Sequence, residues 1–300
     1  MNIVEVSHLK KYYGKHRGVE DVDFTIKQGE IFGFIGPNGA GKSTTIRCAL
    51  SLIFPTSGQI KLFGLDSVKD KVEIAKKVGY LPSEVAYYEN MKVKDLLNYS
   101  MSFYGKIDPA RLKDLTERMD LDVTRKIDDL SLGNKKKVGI VQGLLHQPEL
   151  IILDEPTSGL DPLMQQRFFD LIEEENKRGA TVLFSSHILT EVKRLCDRIA
   201  LIKDGRIEDM DKIASLQSNH YKNIRLMADP ADLDQFEKSD LIESKERFGD
   251  QLHFVYRGEL NKLLRELARF DVQNLSMEDP SLEELFMDYY ERPDNDDLSA

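Results

Sequence analysis

Eight consecutive residues constrain this chain more than any other feature: Gly36-Pro37-Asn38-Gly39-Ala40-Gly41-Lys42-Ser43. They follow a compact apolar run, Ile31 to Ile35, and precede a helical pattern that begins near Gly41. A buried strand, a glycine-rich turn and a helix, in that order, let backbone N–H groups turn inward around phosphate oxygens. The pattern is G-x4-G-K-S. Lys42 would reach the β and γ phosphates, Ser43 would ligate Mg²⁺, and the helix N-terminus would add its dipole to anion binding. The alternative, an ordinary glycine-rich turn, has no use for this strand–loop–helix setting.

A second apolar run, Leu150 to Leu153, ends in Asp154 and is followed by Glu155. An acid at the end of a buried strand can hold Mg²⁺ through water opposite a phosphate loop. Glu155 would then stand where a base polarises water for in-line attack on the γ-phosphate. Alone, an apolar strand ending in Asp-Glu is a weak sign, because many strands end in a solvated acid. Beside a phosphate loop it is a strong one.

Composition narrows the setting. The chain has 300 residues, length for about two domains. The 42 basic and 52 acidic residues give a net charge of −10. That balance argues against a nucleic-acid surface and against a generally basic membrane surface. No apolar run approaches the ~20 residues of a bilayer span, and the opening segment lacks the apolar stretch of a secretory signal. Cys48 and Cys196 are far apart with no CxxC, which gives neither a disulfide framework nor zinc spacing and fits a reducing cytosol.

The remaining pattern outlines the organisation. Ile3, Val4 and Val6, then Val22, Phe24 and Ile26, read as short antiparallel strands separated by turn residues such as Gly14, Gly18 and Gly29. Residues 84–148 read as mostly helical, with Leu96, Leu97, Met101 and Tyr104, then Leu112, Leu115 and Met119, at helical spacing. A helix is expected over Leu163–Lys177, with Asp161 as N-cap and Pro162 at its first position. Thr181–Phe184 reads as another buried strand, and Asp204-Gly205 as a hairpin turn. Character changes near residue 215. Ile224–Met227, Leu252–Tyr256 and Val272–Met277 read as strands, and Leu260, Leu263, Leu264 and Leu267 form a helical apolar face. Ser281 with Glu284 reads as a capping box, and the acidic tail 292–300 as disordered. The expected division is a core of 1–215, a small α+β accessory domain of 216–291, and the tail.

Taken in order, these motifs resemble those of the ATP-binding subunit of an ATP-binding-cassette (ABC) transporter. Leu130-Ser131-Leu132-Gly133-Asn134 occupies the position of the family's signature, usually LSGGQ. Ser158-Gly159-Leu160-Asp161 resembles the D-loop, His187 the switch histidine, and Tyr13 the aromatic that stacks on adenine, with Tyr12 as its rival. The resemblance implies an α/β P-loop core with antiparallel β and helical subdomains. It implies an ATPase that uses ATP and Mg²⁺, with Glu155, His187 and Lys42 catalytic. The nucleotide contacts it implies are Tyr13, Gly36, Pro37, Asn38, Gly39, Ala40, Gly41, Lys42, Ser43, Thr44, Ser131, Gly133, Asn134 and Asp161. It implies a head-to-tail homodimer, or a heterodimer with a related subunit. It also implies a separate transmembrane permease, at the cytoplasmic face of the membrane, and no nucleic acid. Tyr87, Tyr88, Met91 and Phe103 are candidates for the permease groove.

The chain also departs from the pattern. Gly79-Tyr80-Leu81-Pro82 is followed by Ser83-Glu84 where the family usually has Gln, so Ser83, or Glu84, is left to touch the metal. Leu132 stands where Gly is usual and Asn134 where Gln is usual. Lys135, Lys136 and Lys137 fall in the first turn of a helix, against its dipole, which suggests that this helix end meets an anion. These departures and the segment Leu282–Phe286 resemble the bacterial subgroup tied to drug, peptide and antibiotic-resistance export (the ABC-2-like group). A soluble ABC ATPase acting on nucleic acid or ribosomes is the competing reading, disfavoured by one cassette, no zinc pattern and the acidic charge.

Overall fold

The computed structural model describes residues 1–279, apart from 89, 106, 214–220 and 240, together with Glu284. The capping-box helix from Ser281 and the acidic tail lie outside the described residues. The chain divides into two compact units, residues 1–211 and 212–300.

In the first unit, β1 (Asn2–Tyr13) and β2 (His16–Lys27) form one long antiparallel hairpin. Gly18 therefore lies inside a strand and not at a turn. A β-carbon there would press on the Tyr13 ring and the Lys11 carbonyl. β3 (Ile31–Ile35), the phosphate-loop strand, leads to α1 (Lys42–Ala49), then β4 (Ser57–Leu62), β5 (Leu65–Asp66), α2 (Lys71–Ala75) and β6 (Val78–Leu81). Helices α3 (Val93–Met101), α4 (Pro109–Arg118) and α5 (Leu132–Leu144) follow, with a 3₁₀ turn at Ile127–Asp129. The rest is β7 (Leu150–Asp154), α6 (Pro162–Lys177), β8 (Thr181–Ser186), α7 (Leu189–Leu195), β9 (Arg198–Lys203) and β10 (Arg206–Lys212).

The strands join in the order β5-β4-β1-β2-β10-β9-β3-β8-β7-β6. The β1, β2, β4 and β5 portion is antiparallel. From β9 through β3, β8 and β7 to β6 the pairing is parallel. Every residue of β3, β7 and β8 is buried, which is why these strands are continuous apolar runs without alternation. Phe24 stacks on Phe32 at 5.4 Å between ring centroids, with Phe34 at 5.3 Å, joining β2 to β3. Asp204 and Gly205 both have positive φ, 49° and 75°, as a two-residue type I′ hairpin turn requires. This topology carries the ends of β3, β7 and β8 to one edge of the parallel sheet, where α/β proteins place their ligands.

The second unit runs β11 (Lys222–Ala228), α8 (Pro230–Phe236), β12 (Glu243–Phe248), β13 (Gln251–Tyr256), α9 (Leu260–Leu267) and β14 (Val272–Glu278). Its antiparallel sheet has the order β12-β13-β11-β14. A β-α-β-β-α-β chain with that order is the split βαβ, or ferredoxin-like, arrangement. Its core is separate: Ile224, Leu226, Phe254 and Tyr256 of the sheet meet Leu233 and Phe236 of α8 and Leu263 and Leu267 of α9. The sequence pattern showed three of these strands and one helix. It passed over α8 and β12; in β12 (ESKERF) four of the six residues are charged, and the strand is held by pairing to β13.

Candidate functional site

The phosphate loop is shaped by its glycines. Gly36 sits so close to the Ile202 carbonyl of β9 that a side chain would collide with it. Gly39 and Gly41 have φ of 83° and 111°, a backbone region that L side chains rarely adopt. Gly41 is the N-cap of α1. Pro37, Asn38 and Gly39 are exposed, Ala40 is buried, and Ser43 and Thr44 are half-buried in the first turn of α1. The Ala40 carbonyl accepts a bond from Gly205 N–H, tying the loop to the β9–β10 turn. Lys42 is 5% exposed, and its Nζ donates to the carbonyls of Gly36 (2.6 Å) and Pro37 (3.0 Å). Nζ also lies 3.7 Å from Glu155 Oε1. Burial lowers the Lys42 pKa, and the charges of Glu155 and Asp154 oppose that shift.

Asp154 and Glu155 face this loop from β7. Asp154 is fully buried. Its Oδ1 accepts from Ser185 Oγ at 3.2 Å, but Oδ2 has no hydrogen-bond partner. A buried carboxylate oxygen without a donor costs free energy unless a cation or its water shell satisfies it. Glu155 is held at φ 48°, in the left-handed region, by its N–H donating to the Ser185 carbonyl at 3.0 Å. Its Oε1 lies 3.2 Å from His187 Nδ1. Lys42, Asp154, Glu155 and His187 thus converge, from three different strand ends.

One residue at this centre escaped the sequence reading. Glu191 is buried; it accepts from Thr157 Oγ1 (2.6 Å) and Ser186 Oγ (2.8 Å), and Ser186 Oγ in turn accepts from Ile188 N–H (2.9 Å). Glu191 therefore joins the loop after Glu155 to the loop that carries His187. Its only signal was an acid in the first turn of a helix after a buried strand, where a helix-dipole role suffices as explanation.

The signature segment opens α5. Ser131 is its N-cap, with Oγ accepting from Asn134 N–H at 3.3 Å. Asp161 likewise caps α6 through Met164 N–H at 3.0 Å. Gly133 meets the Gly159 carbonyl so closely that a side chain at 133 would strike it, which joins the signature to the 158–161 loop within one chain. Leu132 is two-thirds exposed and lies over Gly159.

The lysines after it correct an expectation. Lys136 does not face out toward an anion: it is 2% exposed, and its Nζ donates to the carbonyls of Pro82 (3.0 Å) and Ser83 (2.9 Å). Lys137 is also buried, and Lys135 half-buried. Ser83 is half-buried and Glu84 exposed, and it is the Ser83 main-chain carbonyl that Lys136 engages.

The two candidate tyrosines separate. Tyr12 hydrogen-bonds Glu20 through its hydroxyl, which raises its pKa. Tyr13 is half-exposed, and its ring edge lies against Gly18, whose own neighbour is Thr44 of α1. Lys11 Nζ sits 5.2 Å from the Tyr13 ring centre.

Beside β6 and α3 runs an apolar groove of about 700 Å³, lined by Tyr80, Val85, Tyr87, Tyr88, Tyr99 and Phe103 among others. Met91 is not among its lining residues. Tyr88 and Phe103 are each about two-thirds exposed. No helix among the described residues is long and apolar enough to cross a membrane.

A glycine-shaped phosphate loop facing a buried Asp154 and the adjacent Glu155, with a capped signature helix in the same unit, defines a P-loop ATPase cassette. The ABC transporter family pattern matches residues 19–158. The bacitracin transport ATP-binding protein BcrA of Bacillus licheniformis is 35% identical over 301 residues, covering 95% of this chain and 96% of that protein. The linearmycin resistance ATP-binding protein LnrL of Bacillus subtilis is 36% identical over 210 residues, 68% of each. Among solved structures, an ATP-binding subunit of an ABC transporter aligns with TM-score 0.67 and 31% identity over 72% of this chain and 92% of that one. A dimeric cassette in a post-hydrolysis state with ADP and Pi aligns at TM-score 0.63 and 24% identity over 70% and 98%, a likeness of fold. The chain belongs to the family of ABC transporter ATP-binding subunits, and it is an ATPase.

Proposed function

We propose that this chain powers an exporter of a drug, peptide or antibiotic by ATP-driven closure of two ATPase subunits. The observation that carries this reading is the convergence of Lys42, Asp154, Glu155 and His187, with an unpaired Asp154 oxygen at its base. The names of the bacitracin and linearmycin relatives support the cargo class.

The loop N–H groups and Lys42 bind the ATP phosphates. Lys42 must exchange its carbonyl partners for phosphate oxygens as ATP enters. Tyr13 offers its face to adenine, since Tyr12 is engaged by Glu20. Ser43 and Asp154 suit Mg²⁺, which supplies neutralisation of phosphate charge when bound; Ser83 is a further candidate. Glu155 takes a proton from the attacking water, and His187 orients Glu155 and the water. Ser131, Gly133 and Asn134 present the amino end of α5 to ATP held by a second subunit, with Asp161 beside it. The second subunit is a copy of this chain or a related ATPase. The apolar groove receives a cytoplasmic helix of a separate permease, which holds the chain at the cytoplasmic face of the membrane. The second unit is an accessory domain that supports the dimer or the permease.

The test is Glu155→Gln. ATP turnover should fall at least about a hundredfold, within the range of a lost general base, while nucleotide binding stays within a few-fold. Turnover near wild type would remove Glu155 from the role of base.

A further inference from the structure

Lys136 is a buried charge that the scheme above does not use. Its side chain crosses from the first turns of α5 to the chain just after β6 and meets two consecutive carbonyls, Pro82 and Ser83, at 3.0 and 2.9 Å. Burying an ammonium at 2% exposure with only neutral acceptors is costly. Burial pushes its pKa down to about 8, against the attraction of Asp154 and Glu155, which are near enough to act on it. A methionine of similar length would fill the space without that cost, so the charge needs a reason.

The surroundings supply one. α5 touches the 79–87 segment along one face. Gly143 carries a carbonyl that leaves no room for a side chain on Gly79, and Gly139 makes way for Leu81, Val85 and the Tyr87 hydroxyl. Tyr87 also donates to the Lys135 carbonyl at 3.3 Å. Among these contacts, only Lys136 grips the turn itself through charge-assisted hydrogen bonds, which are roughly twice as strong as neutral ones. One end of the turn leaves β6, neighbour of the strand bearing Asp154 and Glu155; the other enters the apolar groove.

We propose that Lys136 is a positioning residue for ATP hydrolysis: it fastens the Pro82–Ser83 turn to the signature helix, so that the turn, the helix and the catalytic strand end move as one body. This rests on hydrolysis at Glu155, and the test separates the two. Steady-state ATPase, ATP affinity and melting temperature are measured for the full chain and for Lys136→Met and Lys136→Arg, with Glu155→Gln alongside. Amide hydrogen exchange is followed over residues 83–87.

Lys136→Met should lower kcat about tenfold or more, leave ATP affinity within about twofold, and speed exchange at 83–87 while α5 stays protected. Lys136→Arg, which keeps the charge and the donors, should recover most of the rate. Wild-type turnover and unchanged exchange in Lys136→Met would overturn the proposal. So would a loss of rate, affinity and melting temperature in parallel, which a merely structural lysine would give. Hydrolysis persisting in Glu155→Gln would instead remove the reading of the base on which the proposal rests.

Discussion

Glu155 sits at φ 48° with a full side chain, a conformation that costs on the order of 1–2 kcal/mol for an L residue. The strand end imposes it, through the bond from its N–H to the Ser185 carbonyl, and the result is a carboxylate turned toward both Lys42 and His187. Glu191 holds the two loops that flank this bend, Thr157 on one and Ser186 on the other. Its removal would leave two buried hydroxyls without an acceptor. Glu191→Ala should therefore destabilise the protein by about 2–6 kcal/mol, from an unpaired-group cost of ~1–3 kcal/mol each. It should also depress ATP turnover, because the spacing of Glu155 and His187 depends on the same bridge. A denaturant midpoint and a turnover assay on one preparation check both parts.

At the scale of elements, α4 is tied to α6 by ion pairs. Arg111 and Arg178 converge on Glu175, which is buried, and Arg118 makes paired bonds of 2.5 and 2.8 Å to the two oxygens of Glu174. The hydrogen bond from Arg118 holds the Glu174 pKa below its ordinary value of 4.5. A depressed folded-state pKa means that the pair's stabilisation is full above about pH 4.5 and fades as pH falls through the lower, folded value. The stability gap between wild type and Arg118→Met should therefore narrow as pH is lowered from 5 toward about 3. A gap that widens in acid would contradict the pair's role. Glu174 is more than half exposed, so the effect is a small one.

How far these elements could be read in advance depended on where their information lies. The phosphate loop, β7, β8 and α6 are written locally, as continuous apolar runs beside Gly, Pro and Asp, and their outlines were legible. β6 has only four residues and depends on β7 for its ladder, and β5 has only two, so neither leaves a periodic trace. Within the site, Lys42, Ser43, Asp154 and Glu155 belong to spaced motifs. Glu191 and Lys136 do not: what each does depends on which loops the fold brings beside it. The lysine run was misread because a first-turn cation looks exposed in sequence. Nothing local says that Lys136 has two carbonyls within reach 53 and 54 residues away.

The molecule as a whole is acidic, with a net charge of −10, while the proposed phosphate site is built from local positive groups: Lys42, helix ends and loop amides. In the proposed closure, two such subunits would bring like net charges together. ATP-dependent dimerisation of Glu155→Gln, followed by sedimentation, should therefore strengthen as ionic strength rises from about 0.05 to 0.3 M, since salt shortens the Debye length from above ~10 Å to well below it. Weakening with salt would mean that local opposite-charge contacts outweigh the overall repulsion.

The sheet order carries a consequence for the making of the protein. β3 is flanked by β8 and β9. The strand that delivers the phosphate loop is thus synthesised well before both of its neighbours, which come about 150 residues later. At ribosomal speeds of ~5–20 residues per second, that leaves the apolar segment Ile31–Ile35 unpaired for roughly 7–30 s. During that interval it is an open strand edge on a nascent chain, suited to chaperone binding, and its pairing waits for the strand that leads to His187.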